Sequence, residues 1–170
     1  MPGKFELFLE PVCLKSGYRA PYIWENDIRD VDFRFLKNIE EINRYIRLDY
    51  SKVYIEHSAV DYFLCQPEPC LSFDLNELND ENELPKFIEA SKRVIQPGSM
   101  DGICLYFRVA FDEEIALDNS PLHTRTNWMK VLFRTESKHY TIGEVVSFRL
   151  TMDVLFNRDT WSLEVYPLAG

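Results

Sequence analysis

The chain offers several residues with chemistry in them, but few stand at spacings that make a site. Cys65 and Cys70 enclose Gln-Pro-Glu-Pro, a gap that suits zinc. Structural zinc takes four ligands, and no second pair at ligand spacing accompanies these two. The prolines therefore read as a loop between strands, and no metal ligand is expected. His57, His123 and His139 lack any nucleophile context such as Gly-x-Ser-x-Gly, so each reads as a loop or strand-surface histidine. Glu113 and Glu114 are adjacent acids in a turn. No two of the six glycines stand close enough for a Gly-x-Gly turn, which a nucleotide-type site needs so that backbone can approach the ligand. No catalytic or cofactor-binding residue is therefore identified. What remains is Thr126-Asn127-Trp128, at the end of a polar loop. An indole face attracts a cation. Asn127 can donate and accept hydrogen bonds but carries no charge. Trp128 has a second reading, as a tryptophan that starts a strand and buries a large apolar area.

These residues must be placed by strands. Ile103, Leu105, Phe107, Val109 and Phe111 fall on one face and Cys104, Tyr106, Arg108, Ala110 and Asp112 on the other, an alternation that predicts a long strand. Asp112-Glu113-Glu114 is a turn, Ile115–Leu117 starts a return strand, and Trp128–Arg134 is another. Val145–Asp153 places Val146, Phe148, Leu150 and Met152 together, and Trp161–Tyr166 does the same for Trp161, Leu163 and Val165. Asn157–Asp159 is the loop between them. Further strands are expected at 5–14, with Pro11 marking an edge or bulge, at Lys52–Glu56 and at Leu71–Leu75. Ser16-Gly17 and Gln96–Ser99 are turns, 76–83 is a solvated acidic loop, and Pro85–Ile95 begins with a helical turn and ends in a strand. From Phe35 to Tyr50, by contrast, Leu36, Ile39, Ile42, Tyr45 and Ile46 recur at helical spacings between polar residues, giving one helix or two short ones. On its own this is an amphipathic helix lying on the domain's core. Many short strands with one helical insertion predict a mainly β fold, an antiparallel barrel or sandwich.

Composition limits the function classes. A length of 170 residues fits one domain or one compact half of a larger protein, and 46% apolar residues suffice for a substantial core. The net charge of −9 disfavours nucleic acid, whose phosphates need clustered Lys and Arg, and favours cationic partners. No apolar run is long enough to span a membrane. Four cysteines, no Asn-x-Ser/Thr acceptor and no signal-peptide pattern point to reduced thiols in cytoplasm or nucleus. There is no alternating β/α pattern for a doubly wound sheet.

The strand–turn–loop–strand run from Asp101 to Phe133, with Leu105–Val109 and Met129–Phe133 flanking Thr126-Asn127-Trp128, resembles the C-terminal β-barrel of the protein arginine methyltransferases. The resemblance extends over residues 24–166, and Asp112–Asp118 is most like the branch with two tandem methyltransferase modules per chain. It implies that Thr126, Asn127 and Trp128 help form the pocket for the substrate arginine, with Asn127 where the family has His. In the family that His pairs with an acidic group of the donor-binding domain, and an Asn would keep a hydrogen bond but no ion pair. His123, four residues earlier, is a spatial substitute for it. The resemblance also implies that 35–50 is a helical arm that docks on the donor-binding domain of a second module, with a homodimer of this chain as the imitation of that contact. S-adenosylmethionine binds in a domain of the full-length parent that these residues do not contain. The family's paired glutamates belong to that domain, and Glu113-Glu114 do not match them. The chain is thus expected to be inactive alone, as one substrate-groove and docking domain over 1–170, partnered by a donor-binding domain and an arginine-containing protein. The other reading is a free-standing β-barrel interaction module with no methylation role.

Thiol titration of the denatured, unreduced protein should find all four cysteines. A result of two or none would mean that the reading from the cysteine pattern is wrong.

Overall fold

Period-two alternation becomes strand nearly everywhere the sequence predicts it. The structure, a computed structural model, describes residues 3–25, 27–42, 44, 51–80, 84–112, 114–154 and 157–166. Its strands are β1 (Lys4–Leu14), β2 (Asp27–Ile28), β3 (Val31–Asp32), β4 (Lys52–Ile55), β5 (Val60–Phe63), β6 (Pro69–Asp74), β7 (Phe87–Arg93), β8 (Gly98–Ala110), β9 (Ala116–Asp118), β10 (Lys130–Tyr140), β11 (Val145–Met152) and β12 (Trp161–Val165). A seven-stranded antiparallel sheet runs β4-β10-β8-β1-β5, with β6 added to β1 and β9 to β8. A three-stranded sheet runs β12-β11-β7, and β2 and β3 form a small ribbon.

The sandwich expectation holds and the closed barrel does not: among the described residues the two sheets are not closed on each other. They are joined at one corner by an isolated bridge between Cys65 and Val94. The helical turn expected at Pro85 is absent, because β7 pairs with β11 from Phe87 onward. The hairpin loop before β12 contains a 3-10 turn, Arg158–Thr160, whose entry is fixed by Asn157 Oδ1 accepting the Asp159 N–H at 3.1 Å.

The faces of β8 divide the core as its alternation requires. Ile103 and Leu105 join Leu7, Leu9, Val131, Phe133, Val146, Phe148, Leu150 and Met152 between the two sheets. Cys104 and Tyr106 join Val12, Ile55, Ala59, Val60, Phe63 and Leu132 on the outer face of the large sheet. That face is covered by the segment from β4 to β5, so both faces of β8 are apolar. Gly102 allows β10 to come close, since a Cβ there would lie 2.5 Å from the Phe133 carbonyl oxygen. Phe111, expected on the core face, lies beyond the end of β8 and is exposed.

β10 changes register against β8 between Arg134 and Lys138. That irregularity anchors the excursion from Tyr18 to Ser51. Trp24 donates its indole N–H to Glu136 Oε1 at 3.3 Å, and Lys37 Nζ donates to Glu136 Oε2 at 2.7 Å. The Tyr22 hydroxyl donates to the Arg134 carbonyl at 3.1 Å, and the Arg134 N–H donates to the Ser51 carbonyl at 2.6 Å. Tyr22 and Trp24 stack at 4.8 Å with the Arg134 guanidinium 4.3 Å over the Tyr22 ring. Both ends of the excursion therefore return to one place on β10. Within it, Arg34–Asn38 is a 3-10 turn that ends where Ile39 turns extended at ψ 109°, and Glu40, Glu41, Ile42 and Arg44 are helical. The helix expected over 35–50 is thus interrupted at Ile39, and its remainder, Asn43 and Tyr45–Tyr50, lies outside the described residues, as does Glu113. Leu36, Ile39 and Ile42 are half-buried and Phe35 is exposed. Among the described residues no helix is long and apolar enough to cross a membrane.

One buried carboxylate joins the two sheets. Glu10 of β1 is fully buried, and its Oε1 accepts from Lys92 Nζ of β7 at 2.5 Å and from the Glu68 N–H at 3.0 Å. Its Oε2 has no hydrogen-bond partner among the described residues. Burial, against the pull of Lys92, pushes the Glu10 carboxyl from 4.5 up to about 7. Because the folded state holds this proton more tightly, Glu10 contributes most below its unfolded pKa, and that contribution is lost as pH rises through the folded one. The full loss corresponds to about 3 kcal/mol. Glu10→Gln, neutral throughout, should remove that slope. Chemical denaturation between about pH 5 and pH 8 should show the variant losing up to about 3 kcal/mol less than wild type. Identical slopes would show that Glu10 titrates like an exposed carboxylate.

Candidate functional site

The loop between β9 and β10 carries Thr126, Asn127 and Trp128, and buried polar groups hold it from both sides. On one side Asn119, 2% exposed, donates its N–H to the Phe107 carbonyl of β8 at 2.9 Å. Its Oδ1 accepts the Thr126 hydroxyl at 2.6 Å. On the other side Lys130, the first residue of β10 and 1% exposed, donates from Nζ to the Trp128 carbonyl at 3.2 Å. Burial pulls the Lys130 ammonium below its ordinary pKa, and Arg125 adds to this.

The structure brings Thr126, Asn127 and Trp128 to one surface. Thr126 is half-buried and Asn127 is exposed. The Trp128 indole is 50% exposed and leans on Phe107, with centroids 5.3 Å apart and planes tilted by 39°. Trp128 precedes β10 rather than starting it, and one part of its ring packs while the rest faces solvent. Phe107 in turn stacks on Phe5 at 5.9 Å, and Phe5 on Phe73 at 5.2 Å. An aromatic row thus runs from β6 across β1 and β8 to the loop.

The histidines lie differently. His123 is on the same loop, and its Nδ1 lies 2.8 Å from Asp118 Oδ2. His57 follows β4 and is hydrogen-bonded to the backbone of His123. Burial, reinforced by Lys130, Arg125 and Lys15, lowers the His57 pKa and favours a neutral ring, whose buried Nδ1 has no partner among the described residues. His139 lies on β10, paired with Ser99 of β8. Cys13, Cys65, Cys70 and Cys104 are free. Among the described residues no three His, Cys, Asp or Glu side chains are grouped to hold a metal.

Sequence reasoning missed Asn119 and Lys130. Asn119-Ser120-Pro121 carried a turn signal, and Ser120 N–H donates to Asp118 Oδ1 at 2.7 Å. Lys130 shares a face with Leu132, but in Val131-Leu132-Phe133 both faces are apolar, so alternation does not single it out.

No protein-family model matches the sequence, and no curated protein matches it either. Solved structures do. A chain of a Trypanosoma brucei PRMT1 enzyme–prozyme heterotetrameric complex with AdoHcy matches 98% of this chain with 52% of its own, at 20% identity and a TM-score of 0.68. A crystal structure of PRMT6 matches 96% of this chain with 53% of its own, at 15% identity and a TM-score of 0.58. A PRMT6–SAH crystal structure matches 96% of this chain with 54% of its own, at 14% identity and a TM-score of 0.58. This chain therefore spans about half the length of the structures it matches. At these identities the likeness is one of fold, and the antiparallel β fold implied by the resemblance around Thr126-Asn127-Trp128 is the fold found: a β domain of the kind that PRMT chains contain.

Proposed function

We propose that this chain is the β domain of an arginine methyltransferase-related protein, a substrate-groove and docking module rather than a complete enzyme. The observation that carries the reading is the match of nearly all of this chain to about half of each methyltransferase chain. In this reading Thr126 fixes the loop through Asn119, and Trp128 offers its exposed indole face to a guanidinium. Asn127 supplies a neutral hydrogen-bonding group at the rim. The methyl donor, S-adenosylmethionine, belongs to another domain, on the same polypeptide or on a partner. The half-buried Leu36, Ile39 and Ile42, on an excursion anchored at β10, suit a surface that docks on such a domain. The T. brucei chain matched above belongs to an enzyme–prozyme heterotetramer, which supports a role in assembly. Cytoplasm or nucleus is the compartment this role fits.

Two measurements test the proposal. Calorimetric titration of the isolated chain with S-adenosylmethionine should be silent, and micromolar binding would overturn the division of labour. Sedimentation should show wild type self-associating at high concentration, with Ile42→Asp folded but more weakly associated, because a carboxylate on a docking face is costly to desolvate. A monomeric wild type together with an unfolded variant would make this segment ordinary core.

A further inference from the structure

We propose that the outer face of the large sheet, where β10 begins, holds a binding site for a phosphate group. Three stretches of chain meet there. Lys130, the first residue of β10, pairs with Ile55 of β4, and His57 opens the 3-10 turn His57–Ala59 that follows β4. Lys15, just past β1, donates its N–H to the Ala59 carbonyl at 2.9 Å. The loop from β9 to β10, which carries Arg125, reaches the same place through the hydrogen bond between His57 and the His123 backbone. Lys130, Arg125 and Lys15 all act on the His57 ring. Three cations and an imidazole are thus gathered in a chain whose net charge is −9.

Part of this charge is buried, and none of it is paired. Lys130 is 1% exposed, and an ammonium has three hydrogens to place. Among the described residues its one hydrogen bond runs to the Trp128 carbonyl at 3.2 Å, and neither it nor Arg125 nor Lys15 forms an ion pair. Burial and Arg125 oppose the charge on Lys130, and no carboxylate offsets them. Asp118, the acid of the neighbouring loop, is engaged by His123 Nδ1 at 2.8 Å and by the Ser120 N–H at 2.7 Å. His57 adds a buried Nδ1 with no partner among the described residues. A buried cation without a counter-ion is costly, and a bound anion removes that cost. Lys15 and Arg125 are exposed, so their side chains can turn toward an anion arriving from solvent. Several cations around one spot suit a phosphate dianion, with its three acceptor oxygens, better than a singly charged carboxylate.

The site uses no side chain of Thr126, Asn127 or Trp128, so the inference stands without the reading above. The test is calorimetric titration of the chain with inorganic phosphate at constant ionic strength. One site of about millimolar affinity or tighter is expected, and acetate should bind roughly tenfold more weakly. In proton NMR the His57 ring signals, assigned with His57→Gln, should move as phosphate is added while those of His139 stay. Combining Lys15→Gln and Arg125→Gln, both at exposed positions, should weaken phosphate binding roughly tenfold or more. Lys86→Gln with Lys138→Gln removes the same charge elsewhere on the surface and should leave binding nearly intact. N-acetylphosphoserine amide separates two sources of the phosphate. Binding as tight as that of the inorganic ion supports the proposal with a phosphorylated peptide as occupant, and exclusion supports it with the free ion. The proposal is overturned by the absence of saturable phosphate binding or by equal weakening in the two double variants. A His57 signal that stays put at saturation, or equal affinity for acetate, overturns it as well.

Discussion

Strand β1 is paired with more neighbours than one strand edge can hold. On one side it follows β8 from Lys4 to Val12. On the other it gives its first half to β6 and its last residues to β5. Positions 9–11 therefore face the point where two strands part. Pro11 suits that point, since its carbonyl takes the Leu64 N–H at 2.9 Å and it has no N–H of its own to satisfy. The connecting run Leu64-Cys65-Gln66-Pro67-Glu68-Pro69 holds two more prolines, which lowers the number of backbone donors needing partners in a tight space. Glu10 and Lys92 meet most of the remaining demand. Glu10 takes the Glu68 N–H at 3.0 Å, and Lys92 donates to the Glu68 carbonyl at 2.9 Å while bonding Glu10. Removing Lys92 would strand a buried carboxylate, a defect worth about 3–5 kcal/mol when the group is charged. Protonation relieves it, which is why this pair couples the union of the sheets to pH.

The Thr126–Trp128 loop depends on the same sheet. Its anchors are a carbonyl of β8, reached through Asn119, and the first side chain of β10. Both anchors lie in the part of the sheet where β8 and β10 pair in regular register, from Gly102 to Leu105 against Val131 to Arg134, or just beyond it. The irregularity that follows, at 135–137, serves the excursion instead. One strand pair thus positions the loop at one end and anchors the excursion at the other. Substitutions in β10 would therefore reach both.

The strands were legible because their apolar residues repeat every second position. Val146, Phe148, Leu150 and Met152 are all buried together as that rule requires. Pro11 was only half legible. It marked an irregularity, but it sits on an inner strand, because the split between β5 and β6 is a long-range event that no local pattern records. Closure into a barrel was likewise beyond alternation, which is the same for barrels and sandwiches. Of the candidate site, the exposed triplet was visible through the resemblance. Its supports were not, because Asn119 and Lys130 look like ordinary loop and strand-end residues until the fold buries them.

The incomplete closure has a geometric cause that bears on how the surface can be used. The small sheet meets the large one at the C-terminal end of β7, through the Cys65–Val94 bridge and the Ile95 N–H donated to the Leu64 carbonyl at 2.8 Å. Glu10 and Lys92 add a side-chain tie near the same end. At the N-terminal end of β7, beside Leu84 and Pro85, no strand bridge joins the sheets among the described residues. The layers are thus bridged backbone to backbone at one end, while at the other Lys52 of β4 ties them by donating to the Asp159 and Trp161 carbonyls at 2.7 Å, and one edge of β6 is unpaired among the described residues. Natural sheets protect such edges with charge, and Asp74 stands at the end of this one. The charge at Asp74 discourages pairing with a second copy of this acidic chain.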